Sequence, residues 1–204
     1  MKLYYKPGAC SLAAHIILIE AGAPYTVENV DTAEGRTEAG TDYKAINPRG
    51  YVPALELGDG TIITENAAVL QYIADRFPDG HFAPLADDIG RVRIQEDLSF
   101  LSSELHKAFS PFFASRDMSP AEKEAAMAKL TRQIGHFEDM LTRGGNSLNG
   151  PHFSVTDAYA FVILNWTNFI GVSLSAWPKT EAFVDRIKGR DAVRKALAEE
   201  GLPS

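Results

Sequence analysis

The chain changes character near residue 78: short apolar runs bounded by turn residues occur before it, and helix-spaced apolar positions fill the remainder. That switch restricts the fold to a small α/β unit followed by a helical one. Lys2–Tyr5 reads as a buried strand broken by Pro7-Gly8, and Ser11–Ala21 as an apolar helix closed by Gly22 in the position of a C′ glycine. Tyr25–Val30 is a second strand, which a right-handed crossover sets parallel to the first. Asp31–Gly40 is polar without a period and reads as loop, followed by a short amphipathic piece at Thr41–Ile46 and the turn residues Asn47-Pro48-Arg49-Gly50. Val52–Leu57 and Thr61–Thr64 form a hairpin through Gly58-Asp59-Gly60, and Glu65–Phe77 is a helix halted by Pro78. The order predicts a mixed four-stranded sheet within residues 1–77.

Residues 78–88 hold Pro, Gly and Asp with few periodic apolar positions and read as a linker; residues 89–204 are all-helical. Asp88–Ser110 carries Ile94, Leu98, Leu101 and Leu105 at helical spacing. Ser119-Pro120-Ala121-Glu122 opens a helix to Gly144-Gly145 with an N-cap serine, a proline at N1 and a glutamate at N3. Ser154-Val155-Thr156-Asp157 is a second such box, leading into a helix apolar nearly all round from Tyr159 to Trp166. Helices near Thr180–Lys188 and Asp191–Glu200 complete the chain.

A chain of 204 residues, 45% apolar, can build a core without disulfide or metal, and its single cysteine has no partner within the chain. A net charge of −7 with no basic run argues against general nucleic-acid binding. The first residues lack a signal-peptide core, and no 18-residue apolar stretch occurs, so a cytoplasmic address away from membranes is expected. No dinucleotide, Walker, Cys-x-x-Cys or zinc-protease motif appears, and no metal is expected.

Three points invite chemistry. Cys10 stands where the first helix begins, and free backbone N–H groups there would lower its thiol below the usual pKa of about 8.5. It reads equally as a small buried hydrophobe. Ser11 is either the N-cap or a hydroxyl donor to a bound anion. The second point is Tyr51-Val52-Pro53: a cis Val52–Pro53 bond would offer the Val52 backbone to an extended peptide, whereas a trans proline would merely start a strand. The third is Thr64-Glu65-Asn66, a helix start whose N–H groups suit a carboxylate while Glu65 takes an ammonium, or else an ordinary cap.

Together, Tyr4-Tyr5-Lys6-Pro7-Gly8-Ala9-Cys10-Ser11-Leu12, Asn47-Pro48-Arg49-Gly50, Val52-Pro53-Ala54-Leu55, Thr64-Glu65, Glu104-Leu105-His106-Lys107 and Phe153-Ser154-Val155-Thr156-Asp157-Ala158-Tyr159 resemble, in order and spacing, the bacterial beta-class glutathione S-transferases across essentially the whole chain. The resemblance implies a thioredoxin-like glutathione-binding domain, an all-helical domain contributing to the electrophile site, and a homodimer. It implies that Cys10 contacts the glutathione sulfur, that Val52 before a cis Pro53 pairs with the cysteinyl backbone, and that Glu65 and Asn66 hold the γ-glutamyl end. His106, which alone reads as a surface or packing residue, is implied to reach the sulfur site; Ala9, Tyr51, Ser99 and Lys107 complete the implied glutathione contacts. Where many members carry lysine this chain has Gly35, and Arg36 is the nearest cation to replace it. Tyr51 stands where the family often has Gln, and Ser99 where it has Asn. Tyr5 is a hydroxyl donor by analogy with other classes, or a core aromatic.

The expected activity is conjugation of glutathione, a co-substrate rather than a tightly bound cofactor, to soft hydrophobic electrophiles, with Cys10, Ser11, His106 and Tyr5 as the catalytic candidates. The alternatives are thiol-disulfide exchange through Cys10 and a non-catalytic binder of apolar ligands, whose cleft Phe109, Phe112, Phe113, Trp166 and Phe169 would line.

Overall fold

A computed structural model describes residues 1–114, 116–144 and 147–203. Its first part is a sheet of five strands in the order β3-β2-β1-β4-β5: β1 Lys2–Tyr5, β2 Thr26–Asp31, β3 Arg36–Thr37, β4 Ala54–Glu56 and β5 Ile62–Thr64. β1 and β2 run parallel, with Leu3 opposite Val27, and the remaining pairs are antiparallel. Two helices, α1 Ser11–Glu20 and α2 Asn66–Arg76, complete this thioredoxin-like unit.

The expected four strands are five. The extra strand is the edge strand β3, only two residues long. Asp31 Oδ1 accepts from the N–H groups of Ala33 and Glu34 at 2.9 and 3.0 Å, and Gly35 turns the chain at φ +69°. A strand so short has no alternation to betray it, and its polar surroundings read as loop.

After α2 comes a 3₁₀ turn at Pro78–Gly80, and then the helices α3 Ile89–Phe100, α4 His106–Phe109, α5 Pro120–Gly144, α6 Val155–Asn165, α7 Thr167–Ile170, α8 Pro178–Lys188 and α9 Asp191–Glu199, with an isolated bridge between Ser147 and Gly150. The expected end of α5 at Gly145 lies outside the described residues. The single helix expected over Asp88–Ser110 is interrupted: α3 widens into a π turn at Leu101–Leu105 before α4, and a 3₁₀ turn succeeds it at Ser110–Phe113. Three serines explain the widening. The hydroxyls of Ser99, Ser102 and Ser103 bond back to the carbonyls of Gln95, Leu98 and Ser99, competing with the helix's own N–H donors. Single π turns of this kind concentrate at functional sites.

α6 is the central helix of this part: every residue from Val155 to Leu164 is buried, and it packs against α1, α3 and α8. One apolar cluster joins Leu12, Ile16 and Ile17 of α1 to Phe161 and Leu164 of α6, so the two parts share a core. Polar contacts fasten them as well. Arg91 holds Asp75 through two bonds of 2.8 and 2.7 Å, and His15, wholly buried, places its two ring nitrogens 3.0 and 2.8 Å from carboxylates of Glu200 and Glu199. Among the described residues, no helix is long and apolar enough to cross a membrane.

Candidate active site

A cleft of about 710 Å³ opens where the start of α1, the start of α2 and the Val52–Pro53 segment face the π turn, α4 and the α6–α7 corner. Three sequence signals converge there from distant positions: Cys10, Tyr51-Val52-Pro53 and Glu65-Asn66 all line it.

Cys10 ends the Pro7-Gly8-Ala9 turn as the N-cap residue of α1, where its side chain makes no capping bond. The Val52–Pro53 bond is cis, and the Cys10 thiol donates to the Val52 carbonyl at 3.3 Å. The turn is clamped by the helical part. The Gly8 N–H donates to Glu200 Oε2 at 2.9 Å and its carbonyl accepts from Trp166 Nε1 at 2.7 Å, with Gly8 at φ +71°, a conformation suited to glycine.

The expectation of a lowered thiol pKa is overturned. Burial pushes the Cys10 thiol up to about 12, although the N–H groups of Cys10 and Ser11 and the charge of Lys107 pull the other way. The residue keeps some surface toward the cleft, but its sulfur is walled in, and the desolvation of a thiolate outweighs a few helix-terminal donors. Ser11 fills neither role foreseen for it. Fully buried, its hydroxyl bridges the N–H and carbonyl of Lys6, both at 3.3 Å, and shapes the turn after β1.

At the start of α2, Glu65 has φ +66°, a backbone region that costs a residue bearing a side chain about 1–3 kcal/mol and tends to occur at functional sites. Its carboxylate pairs with Arg49 at 3.0 Å, and both side chains are exposed. Asn66 is buried, yet among the described residues neither its amide nitrogen nor its oxygen meets a partner. An unpaired buried amide costs about 1–3 kcal/mol, so the site carries an unmet polar demand.

Across the cleft, the π turn brings Ser102, His106 and Lys107 to the same cavity. His106 Nδ1 is 2.8 Å from the Tyr159 hydroxyl, and its ring stands edge-on to Trp166 at 4.8 Å. Burial, with the adjacent Lys107 charge, lowers the His106 pKa to about 4, so the ring is neutral at physiological pH. Trp166, Phe113, Phe169 and Leu202 form an apolar wall, whereas Phe109 lies wholly within the core and Phe112 packs against it.

Other expected positions fall elsewhere. Tyr5 is a buried core residue beside His15 and does not line the cleft. Arg36 is an exposed β3 residue whose guanidinium donates to the Gly40 carbonyl at 3.0 Å. Ser99 is also exposed, on the last turn of α3, with its hydroxyl spent on Gln95. Ala9 and Tyr51 do line the cleft, and Tyr51 is 69% exposed at its mouth. Sequence reasoning missed Lys6, Thr32, Asn47, Ser102, Tyr159 and Leu202 as lining residues. Asn47 had a signal: it sits in a turn whose side chains hold the Tyr51 carbonyl, Asn47 at 2.6 Å and Tyr43 at 2.8 Å.

Fold and cleft define a two-part protein in which one thiol stands between two open helix starts, opposite a neutral imidazole and an aromatic wall. Residues 8–76 match the family model for the glutathione S-transferase N-terminal domain, and residues 100–191 that for the C-terminal domain. The chain is 41% identical over 203 residues to Glutathione S-transferase GstA of Escherichia coli O157:H7, covering 99% of this chain and 100% of that one. Among solved structures, the bacterial beta-class glutathione S-transferase of Sphingomonas chungbukensis superposes with a TM-score of 0.94 at 43% identity, covering 100% of both chains. A sphingomonad glutathione S-transferase complexed with glutathione gives the same values. The chain belongs to the glutathione S-transferase family.

Proposed function

We propose that the protein is a glutathione transferase that adds the sulfur of glutathione to a soft, apolar electrophile in this cleft, with residues 1–77 as the glutathione half, 78–88 as linker and 89–204 as the helical half. The observation that carries this reading is the start of α2. The unpaired Asn66 amide and the free N–H groups of the helix offer donors to a carboxylate, and the strained Glu65 offers an acceptor to an ammonium. Those are the two charged ends of a γ-glutamyl group. The exposed Arg49–Glu65 pair is worth under about 1 kcal/mol, so Glu65 is readily shared with such a ligand.

The Val52 backbone, set beside Cys10, would pair with the cysteinyl residue in the manner of strand addition. That places the glutathione sulfur at the start of α1, where the N–H groups that act on Cys10 would favour a thiolate. Lys6 and Lys107, both lining the cleft, take over the cationic role expected of Arg36 toward the glycyl carboxylate. The Trp166 wall receives the electrophile. A Cys10 thiol held near pKa 12 is protonated at neutral pH, which favours a donor role over nucleophilic exchange.

Exposed Leu85, Ile89 and Val92 at and before the start of α3 support pairing of two copies as a homodimer. A cytoplasmic address fits a chain whose lone thiol works beside a reduced glutathione pool.

The test is Cys10→Ala, assayed two ways. Conjugation of an aryl halide should persist within about tenfold, ~1.4 kcal/mol of barrier, while any reduction of a glutathione mixed disulfide disappears. Loss of both activities would move the chemistry onto Cys10. Wild-type protein that binds glutathione without turnover of either substrate would instead be a sequestering protein.

A further inference from the structure

Tyr159 is the one hydroxyl on the otherwise apolar stretch from Ala158 to Leu164 of α6, and it reaches the sulfur site from the core side. The residue is only 2% exposed, and its hydroxyl stands 2.8 Å from His106 Nδ1. Ser102 and Asn66 lie close enough to favour its ionised form, Asn66 without making a hydrogen bond of its own, while Cys10 and Glu65 disfavour ionisation. Burial dominates and raises the phenol's pKa, so Tyr159 keeps its proton. A buried phenol needs an acceptor for that proton.

His106, neutral above about pH 4, carries a single N–H and can hold it on either nitrogen. The tautomer is set by whatever bonds the other nitrogen. We propose that Tyr159 is a positioning residue for the transferase reaction: its O–H donates to His106 Nδ1, fixing the hydrogen on Nε2, so that a neutral imidazole donates to the thiolate of bound glutathione. The thiol's own proton leaves to solvent, since an imidazole of such low basicity is a poor acceptor for it. Tyr159 thereby acts on sulfur through His106, from a helix whose other side chains in that stretch serve packing.

This inference rests on the cleft being the glutathione site, and the two can fail separately. The experiment measures S-methylglutathione binding by calorimetry and the pKa of the bound glutathione thiol by thiolate absorbance, in wild type, Tyr159→Phe, His106→Gln and the double variant. Tyr159→Phe keeps the ring, and should bind S-methylglutathione like wild type while raising the bound thiol's pKa by about one unit, tenfold less thiolate. Glutamine has an amide donor with no tautomer to choose, so in the His106→Gln background the same substitution should shift nothing further. An unchanged thiol pKa in Tyr159→Phe overturns the proposal, as does an equal shift in the glutamine background, which would place Tyr159 directly on the sulfur. Failure of the wild type to bind S-methylglutathione overturns the site assignment itself.

Discussion

Two helix starts flank the interior of this molecule and are finished in opposite ways. At α6 the cap is closed by its own residues: Asp157 accepts from the Ser154 N–H at 2.8 Å, the Ser154 hydroxyl at 2.6 Å and the Leu148 N–H at 2.9 Å, all buried. At α2 the N-cap position is a glutamate in a strained conformation whose side chain makes no capping bond, and the buried asparagine behind it has no partner among the described residues. The first start closes on itself and serves folding. The second leaves its polar groups unmet next to a cavity, where the carboxylate and ammonium of the proposed γ-glutamyl ligand would meet them. Buried polar groups alone therefore do not mark a site; buried polar groups left unsatisfied at a cleft do.

The contrast predicts opposite outcomes for the two positions. Asp157→Ala should strand two buried backbone donors, since the Ser154 hydroxyl can turn to Thr156, and cost at least about 2 kcal/mol, lowering the melting temperature by roughly 4–8 °C, with glutathione affinity of the folded fraction little changed. Thermal denaturation checks the first part and calorimetry the second; a loss of affinity without loss of stability would erase the distinction. Asn66→Ala should do the reverse. Removing an amide that has no partner leaves the unliganded protein as stable as before or up to about 1 kcal/mol more so, while glutathione binding weakens by about tenfold or more.

A third helix start extends the contrast, because α5 repeats the α6 motif at the surface. Glu122 accepts from the Ser119 N–H and hydroxyl at 2.8 and 2.9 Å and pairs with Arg116, which together hold its carboxyl down to about 2. Its folded pKa lies below the ordinary 4.5, so its contribution is present above that pH and fades as pH falls toward 2. Hydrogen exchange in the first turn of α5 should quicken over that window, and Glu122→Gln should remove the pH dependence with little effect on the global melt.

The elements legible in the sequence were those made by local chemistry. The two capping boxes, the Gly58–Gly60 turn and the stop at Pro78 each depend on residues within a few positions of one another, and each stands where the residues imply. What escaped depends on distance or burial. β3 needs a partner strand to exist, and the π turn comes from three serines that also suit an ordinary helix. The location of Cys10 at a helix start was readable, but the direction of its pKa was not, since the desolvation around it comes from chain segments tens of residues away. Tyr159 reads as one more core aromatic until the fold sets its hydroxyl against His106, 53 positions earlier.

The clamp on the Gly8 turn also orders the assembly of the molecule. The peptide N–H of Gly8 is held by a residue 192 positions downstream, and His15 is seated against its two carboxylates from 184 and 185 positions downstream. A nascent chain has made every sheet strand and the cysteine itself long before Glu199 and Glu200 emerge from the ribosome. Until then the turn that positions the thiol lacks its anchor, so the cysteine is translated early while its surroundings are completed only once the residues after α9 are in place.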